Sequence, residues 1–448
     1  MCGILITNDD RKSFMIKHRG IEQHKIYRES IERHFIHSRL PIQTRLKDDY
    51  AQPIVYDNGN ILLFNGEIFN YDQRSYECDT SYLKDFFSDI NSWEEFYSKQ
   101  PEYEKWDGFW SIVFYLKDKN RYICFTDPLG KKQLYINNLN EICSEINPLI
   151  NGSFDHTYFG SIYKWGYNID DRTPFEGIKK LDPKYIYNLP IYGSEKITIP
   201  NFQIKKEEHS LEEALRISTA RRLIAKKDYP IGVLLSGGLD STIIVSILKE
   251  LNAYVNYYTI ENGESKYVKI CEKYFNIKVK KINSKPSRDI DEIICKWNQS
   301  PVDMGSVFPQ FNLFEAVKLD GVKIVLTGDG ADELFGGYNR RNYFDTQHSD
   351  IFHELTNYHF PRLDRLSMAH TIELRNPFLG HDVISAGLYY NSINKEILKD
   401  IYSNKIPKQI INRKKLPLKS ESLKKDPIKH RLDLIKIYKD NIKKYAII

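Results

Sequence analysis

Nowhere in this 448-residue chain do about 18 apolar residues follow one another, so no segment reads as a membrane-spanning helix. The six cysteines, at positions 2, 78, 124, 143, 271 and 295, include no CxxC pair and no metal-like cluster. Reduced thiols in a cytoplasmic chain are therefore the expectation. Short-period repeats and low-complexity tracts are missing. Charge of one sign is missing too: 65 Lys plus Arg stand against 60 Asp plus Glu, and the net +5 gives no argument for nucleic acid or a membrane as partner. Met1–Asp9 lacks a basic stretch ahead of its short apolar run, so a signal peptide is not expected. Disorder is excluded by abundant aromatic and β-branched residues.

What is present suits a folded enzyme. At roughly 150 residues per domain, the length predicts two or three domains. The first half reads as short strands: Cys2–Thr7, Ile61–Phe69 as two pieces around an Asn65-Gly66 turn, Trp110–Tyr115 and Tyr122–Phe125. Asn188–Glu208, with Pro190, Gly193 and Pro200, reads as a link into a second domain. From Ser210 the period changes. A helix is predicted over Leu211–Lys226 with Ser210 as N-cap and Glu213 as its capping-box partner. The buried-strand runs Ile231–Leu235 and Val322–Leu326 each empty into a glycine-rich loop, with a helix from Leu239 to Leu251 after the first. Strands alternating with helices argue for an open parallel sheet, whose ligands sit beyond the carboxyl ends of the strands. The tail from Arg413 holds 12 Lys/Arg against 4 Asp/Glu and reads as a solvated helix face.

Two loops carry the chemistry. Ser236-Gly237-Gly238-Leu239-Asp240-Ser241 follows a strand and opens a helix. Its glycines let backbone N–H groups approach an anion, the helix N-terminus adds its dipole, Ser236 and Ser241 can donate to phosphate, and Asp240 can hold Mg²⁺. It lacks the Gly-Lys-Ser/Thr ending of a Walker A loop. In the second, Thr327-Gly328-Asp329-Gly330-Ala331-Asp332-Glu333, three carboxylates within five residues would repel one another unless a cation joins them; Mg²⁺–pyrophosphate is the natural guest.

Together these loops resemble the synthetase half of the asparagine synthetase family, whose SGG-x-DS turn pairs with a downstream GDG- or GEG-x-DE-x-FGGY loop. Arg365–His381 is similar to that family's "DR-SMAHSLE-R-PFLDH" segment, and Arg413-Lys414-Lys415 resembles its late basic motif. Glutamine-dependent members begin with a class II glutaminase whose cysteine becomes residue one after Met removal, and Met1-Cys2-Gly3-Ile4 fits. Such a cysteine carries its own base, because an α-amine with a pKa near 8 can take the thiol proton. Phe64–Ile68 resembles "NGEI", His37–Ile42 "H-x-RLSI" and Cys78–Thr80 "SDTE"; the segments Ser144–Ile146, Trp165–Tyr167 and Phe175–Ile178 continue the match to about Lys415.

The resemblance implies a fold and roles. Residues 1–200 are expected to form an Ntn-type αββα sandwich acting as glutaminase, and 205–448 a Rossmann-like ATP-pyrophosphatase domain, giving α/β and α+β classes in one chain. Cys2 would attack glutamine, Asn65 and Gly66 would form the oxyanion hole, and Arg39, Glu67 and Asp79 would bind the glutamine α-carboxylate and α-ammonium. Leu234, Ser236, Gly237, Gly238, Asp240, Ser241, Ile260, Thr327 and Gly328 would hold ATP, and Asp240 and Asp332 Mg²⁺. Asp329 occupies the acidic position tied to adenylate formation, and Lys415 would stabilise charge on the departing groups. The expected partners are glutamine, ATP and a small carboxylate, aspartate first, with neither nucleic acid nor membrane; a homodimer is the assembly considered. Another acceptor (a sugar acid, peptide or specialised metabolite) and a catalytically dead scaffold remain as alternatives. The chain also departs from the family pattern. "HRGPD" reads His18-Arg19-Gly20-Ile21-Glu22, the arginine and proline of "RD-x-x-G-x-x-PLY" are Thr126 and Gln133, "SDTE" ends in Ser81, "PFLDH" has Gly380 for its aspartate, and "DEP" reads Gln299-Ser300-Pro301. The Thr126 and Gln133 changes are expected to loosen the domain interface.

Overall fold

The computed structural model describes residues 2–44, 48–191, 196–261, 265–283, 285, 288–337, 352–413 and 426–446. Twelve strands fill the first two hundred residues: β1 Cys2–Thr7, β2 Gln23–Ser30, β3 Arg33–Arg39, β4 Ile54–Val55, β5 Ile61–Ile68, β6 Gly108–Leu116, β7 Arg121–Thr126, β8 Tyr135–Ile136, β9 Ile142–Cys143, β10 Lys179–Lys180, β11 Tyr185–Pro190 and β12 Ile197–Pro200. They form two six-stranded sheets, ordered β10-β8-β9-β1-β3-β2 and β12-β11-β7-β6-β5-β4, whose pairings are antiparallel. Alternate side chains explain the stacking. Ile4, Ile6 and Phe35 of the first sheet pack on Leu63, Val113, Tyr115 and Leu189 of the second. On the second sheet's far side Phe64, Ile112 and Phe114 meet Leu83 and Phe86 of the helix Asp79–Phe86. On the first sheet's far side Leu5 and Ile36 share a core with Tyr158 and Ile162 of the helix His156–Trp165. The layers therefore run helix, sheet, sheet, helix.

The remaining strands, β13 Ile231–Leu234, β14 Asn256–Ile260, β15 Val279–Ile282, β16 Ile324–Leu326 and β17 Glu373–Arg375, make a parallel sheet ordered β15-β14-β13-β16-β17. Helices Leu239–Glu250, Ser265–Phe275 and Val307–Leu319 lie between successive strands. The order reverses at β13, so the β13 and β16 loops diverge and leave a crevice at their carboxyl ends.

Three local expectations are corrected. Ile61–Ile68 is one strand, not two around a turn, because all eight residues pair with β6, Asn65 opposite Ser111 and Gly66 opposite Trp110. Gly66 is required there by close approach: at φ 154° a Cβ would lie 2.0 Å from the Phe109 carbonyl oxygen. The proposed link also begins later, since β11 and β12 pair within the second sheet. The helix predicted over Leu211–Lys226 ends at Arg221; Ser210 caps it as expected, accepting from the Glu213 N–H at 3.4 Å. Arg222 turns inward, where Asp107 takes its guanidinium at 3.0 Å.

The two halves are joined by buried charge. Arg19, fully buried, bonds Glu145 at 3.0 Å and reaches across to Asp364 at 2.7 Å; Lys132 reaches the same carboxylate. Asp107 holds Arg222 and Arg221, both at 3.0 Å. Burial alone would raise the Asp107 carboxyl, but these two arginines bring it down to about 2. Gln299, which replaces the aspartate of "DEP", accepts from Ile146 N–H at 2.7 Å and donates to Glu145 at 2.6 Å. Lys132, beside Gln133, joins this interface through Asp364, and Lys131 next to it is buried. Asp364→Ala takes the shared carboxylate from two buried cations, of which Arg19 keeps Glu145, and is expected to lower unfolding free energy by about 3–5 kcal/mol, measured by urea denaturation.

Candidate active sites

The first site forms where β1 meets β5. Antiparallel register sets Cys2 opposite Arg39, and the Cys2 backbone N–H donates to Asn65 Oδ1 at 3.0 Å. Asn65 is fully buried and its Nδ2 has no partner among the described residues, so a donor faces the region beside the cysteine. Burial pushes the Cys2 thiol up, while the Leu40 N–H and the Arg39 guanidinium pull the other way. A buried thiol in that condition needs a base before it can act as a nucleophile.

Glu67 follows Asn65-Gly66 on β5, and Asp79 opens the helix Asp79–Phe86; both carboxylates are buried. Gln43 Nε2 donates to Glu67 Oε2 at 2.6 Å and to Asp79 Oδ2 at 3.3 Å. Burial, with repulsion from Glu373 and from Asp79, lifts the Glu67 carboxyl well above the carboxylate range. Burial also pushes Asp79 up to about 6 despite the N–H groups of Ile68 and Thr80 that it accepts. All the residues expected for this site, Cys2, Arg39, Asn65, Gly66, Glu67 and Asp79, are thus brought into one neighbourhood. Gln43 was missed, because a lone polar residue in a loop carries no sequence signal of its own.

The second site is a cleft of about 650 Å³ at the carboxyl ends of β13, β14 and β16. Leu234, Ser236, Gly238, Asp240, Ser241, Ile260, Thr327, Gly328, Asp329 and Asp332 line it. Gly237 is not in the lining; it forms the back of the loop at φ 68°, where a Cβ would meet Tyr267 at 2.8 Å. Ser241 Oγ ties the loop together, accepting from the Ser236 N–H at 3.2 Å and lying 3.1 Å from Ser236 Oγ. Lys415 lies outside the described residues.

The acidic loop does not act as one cluster. Asp329 accepts from the Thr327 hydroxyl at 2.5 Å, and Glu333 is buried, its carboxyl pushed up to about 7 chiefly by desolvation. Asp332 turns instead toward Asp240 of the other loop, and Lys395 Nζ joins them at 2.6 Å from each. Among the described residues no group of three or more His, Cys, Asp or Glu is placed to hold a metal ion. Two carboxylates facing a cleft are nevertheless the donor set Mg²⁺ uses when phosphate oxygens complete its shell. Lys395 was missed: it lies over sixty residues from the acidic loop, in a stretch with no motif. Arg413 is also in the lining and donates to the Gly237 carbonyl at 2.6 Å.

One residue touches both sites. Arg375, fully buried at the end of β17, lies 3.6 Å from Glu67 Oε2, while its carbonyl accepts the Thr327 N–H at 2.9 Å. Its Nε is bonded to Glu373 at 2.6 Å, so its direction is fixed.

The family model described as asparagine synthase matches residues 210–356 and 344–439, and one described as a glutamine amidotransferase domain matches residues 1–198. The chain is 26% identical over 447 residues to a probable glutamine-hydrolysing asparagine synthetase of Schizosaccharomyces pombe, covering 87% of this chain and 76% of that protein. It is 28% identical over 385 residues to a putative glutamine-hydrolysing asparagine synthetase 2 of Methanocaldococcus jannaschii, covering 72% and 71%. With the glutamine-hydrolysing asparagine synthetase 1 of Saccharomyces cerevisiae the identity is 27% over 412 residues, covering 78% and 67%.

Proposed function

The chain belongs to the asparagine synthase family and carries its glutamine amidotransferase domain, and on that premise we propose that it makes asparagine from aspartate, ATP and glutamine. The observation that carries the reading is the presence of two different sites in one chain: a buried cysteine beside an amide donor with no partner among the described residues, and a cleft of about 650 Å³ with two carboxylates at the ends of a parallel sheet.

At the first site Cys2 Sγ attacks the glutamine carboxamide once Met1 is removed and the freed α-amine takes the thiol proton. Asn65 Oδ1, 3.0 Å from Cys2 N, orients that amine. Asn65 Nδ2 and the Gly66 N–H stabilise the tetrahedral oxyanion. Arg39 clamps the substrate carboxylate, and Glu67 and Asp79 take its ammonium. Collapse of the intermediate gives a glutamyl thioester and ammonia, and water then releases glutamate.

At the second site the backbone at Leu234, Ile260 and Thr327-Gly328 holds the nucleotide. Ser236, Gly238 and Ser241 take its phosphates. Asp240 and Asp332 would hold Mg²⁺, which supplies charge neutralisation on pyrophosphate when bound. The acceptor carboxylate attacks the α-phosphorus, pyrophosphate leaves beside the cleft cation Lys395, and ammonia displaces AMP from the acyl-adenylate. Ammonia crosses between the sites inside the protein, on the side where Arg375 touches both.

The reading is tested by pyrophosphate release with glutamine, ATP and L-aspartate against a panel of other acids. Turnover is expected with aspartate; turnover with another acid and none with aspartate overturns the assignment of the acceptor. A pH profile gives a second check. Asp79 is pushed up to about 6, mainly by burial, so below that pH it binds a proton and loses the charge that holds the ammonium. Glutaminase kcat/KM is expected to fall as pH drops through about 6, approaching tenfold per unit, with the change carried by KM.

A further inference from the structure

We propose that Gln43 is a built-in competitor for the glutamine α-ammonium, its own carboxamide resting on the Glu67–Asp79 pair until substrate displaces it. The inference rests on the reading of that pair as the ammonium pocket. Both ends of the Gln43 amide are engaged there. Nε2 donates to Glu67 at 2.6 Å and Asp79 at 3.3 Å, while Oε1 accepts from the Tyr71 hydroxyl at 2.8 Å and the Asp79 N–H at 3.3 Å. Gln43 is half-buried, in the loop that leaves β3 four residues after Arg39. One short segment therefore delivers both the carboxylate clamp and the group that fills the ammonium position.

The chemistry explains why the competitor is an amide. Two buried carboxyl groups facing each other need donors between them when no substrate is bound, beyond the Ile68 and Thr80 N–H groups that Asp79 already accepts. A neutral amide supplies donors without cancelling the charge. An α-ammonium supplies both, and charge-assisted bonds are roughly twice as strong as neutral ones. The exchange therefore favours a ligand with an α-amino group and disfavours amides that lack one. Gln43 is in this sense a specificity residue that acts through Glu67 and Asp79.

Steady-state glutaminase assays on the full chain test this with two opposed variants. Gln43→Val removes the competitor and is expected to lower KM for glutamine by roughly 3- to 20-fold, with kcat changed less than about twofold. Gln43→Lys places a tethered ammonium on the pair and is expected to raise KM by more than about 50-fold. Ammonium-driven synthesis at the second site should be unchanged in both, which shows that both fold. A rise in KM or a fall in kcat in Gln43→Val overturns the proposal, because a merely structural Gln43 gives that result. Glu67→Gln and Asp79→Asn separate the underlying reading: unchanged KM in those variants removes the ammonium pocket itself, whatever Gln43 does.

Discussion

Replacing Cys2 by alanine is expected to abolish glutamine-dependent synthesis, by at least about 10⁴-fold, while synthesis driven by an added ammonium salt stays within about twofold of the parent protein. The size of the loss follows from the site. Among the described residues Cys2 alone pairs a nucleophilic atom with the unpartnered Asn65 amide, and nothing beside it can form the thioester. Retention of the ammonium reaction follows from the architecture: Cys2 belongs to the antiparallel sandwich, whereas the cleft proposed for ATP is built on β13, β14 and β16. The loss is read by asparagine formation with each nitrogen source. Failure of ammonium to rescue Cys2→Ala would show that the two sites do not divide the work in this way.

The second large effect is expected at Lys395. Its ammonium lies 2.6 Å from Asp240 and from Asp332 and is almost fully buried. Lys395→Met removes the cation that joins these two carboxylates, and with it a buried positive charge from the cleft where the proposed reaction releases pyrophosphate. Pyrophosphate release is expected to fall by about 10²–10³-fold, the range found when one preorganised charge-stabilising group is deleted. Glutaminase activity, which belongs to the other site, is expected to be unchanged. Asp332→Asn should give a loss of similar direction, but with a higher Mg²⁺ concentration needed for half the maximal rate, because it weakens one of the two carboxylates proposed to hold the metal. A Lys395→Met protein that releases pyrophosphate at the parent rate would remove Lys395 from the reaction.

The sequence made some of this architecture readable for identifiable reasons. Glycine, hydroxyl and carboxylate in a short run after an apolar strand are visible locally, so Ser236–Ser241 and Thr327–Glu333 could be read as loops lining one cleft. Ile231–Leu234 and Ile324–Leu326 were likewise legible as continuous apolar runs, the mark of strands buried on both faces. Asn65-Gly66 was misread because its local preference for a turn is outweighed by eight cross-strand pairs with β6, which no local signal reports. Gln43, Arg375 and Lys395 escaped for a related reason. Each acts by meeting a partner far away in sequence, Glu67 for the first two and Asp240 with Asp332 for the third. The interface was harder still. Asp364 sits within a recognisable segment, but only the folded chain shows that Arg19 and Lys132 converge on it.

The central claim, that the amide nitrogen of glutamine passes to the side-chain carboxylate of aspartate at the expense of ATP, is tested most directly with glutamine labelled by ¹⁵N at its amide. The label should be found in asparagine, with one pyrophosphate and one AMP formed for each labelled amide, even when unlabelled ammonium is present at low concentration. Pyrophosphate release without labelled asparagine, or labelled ammonia that accumulates while aspartate is untouched, would contradict the account.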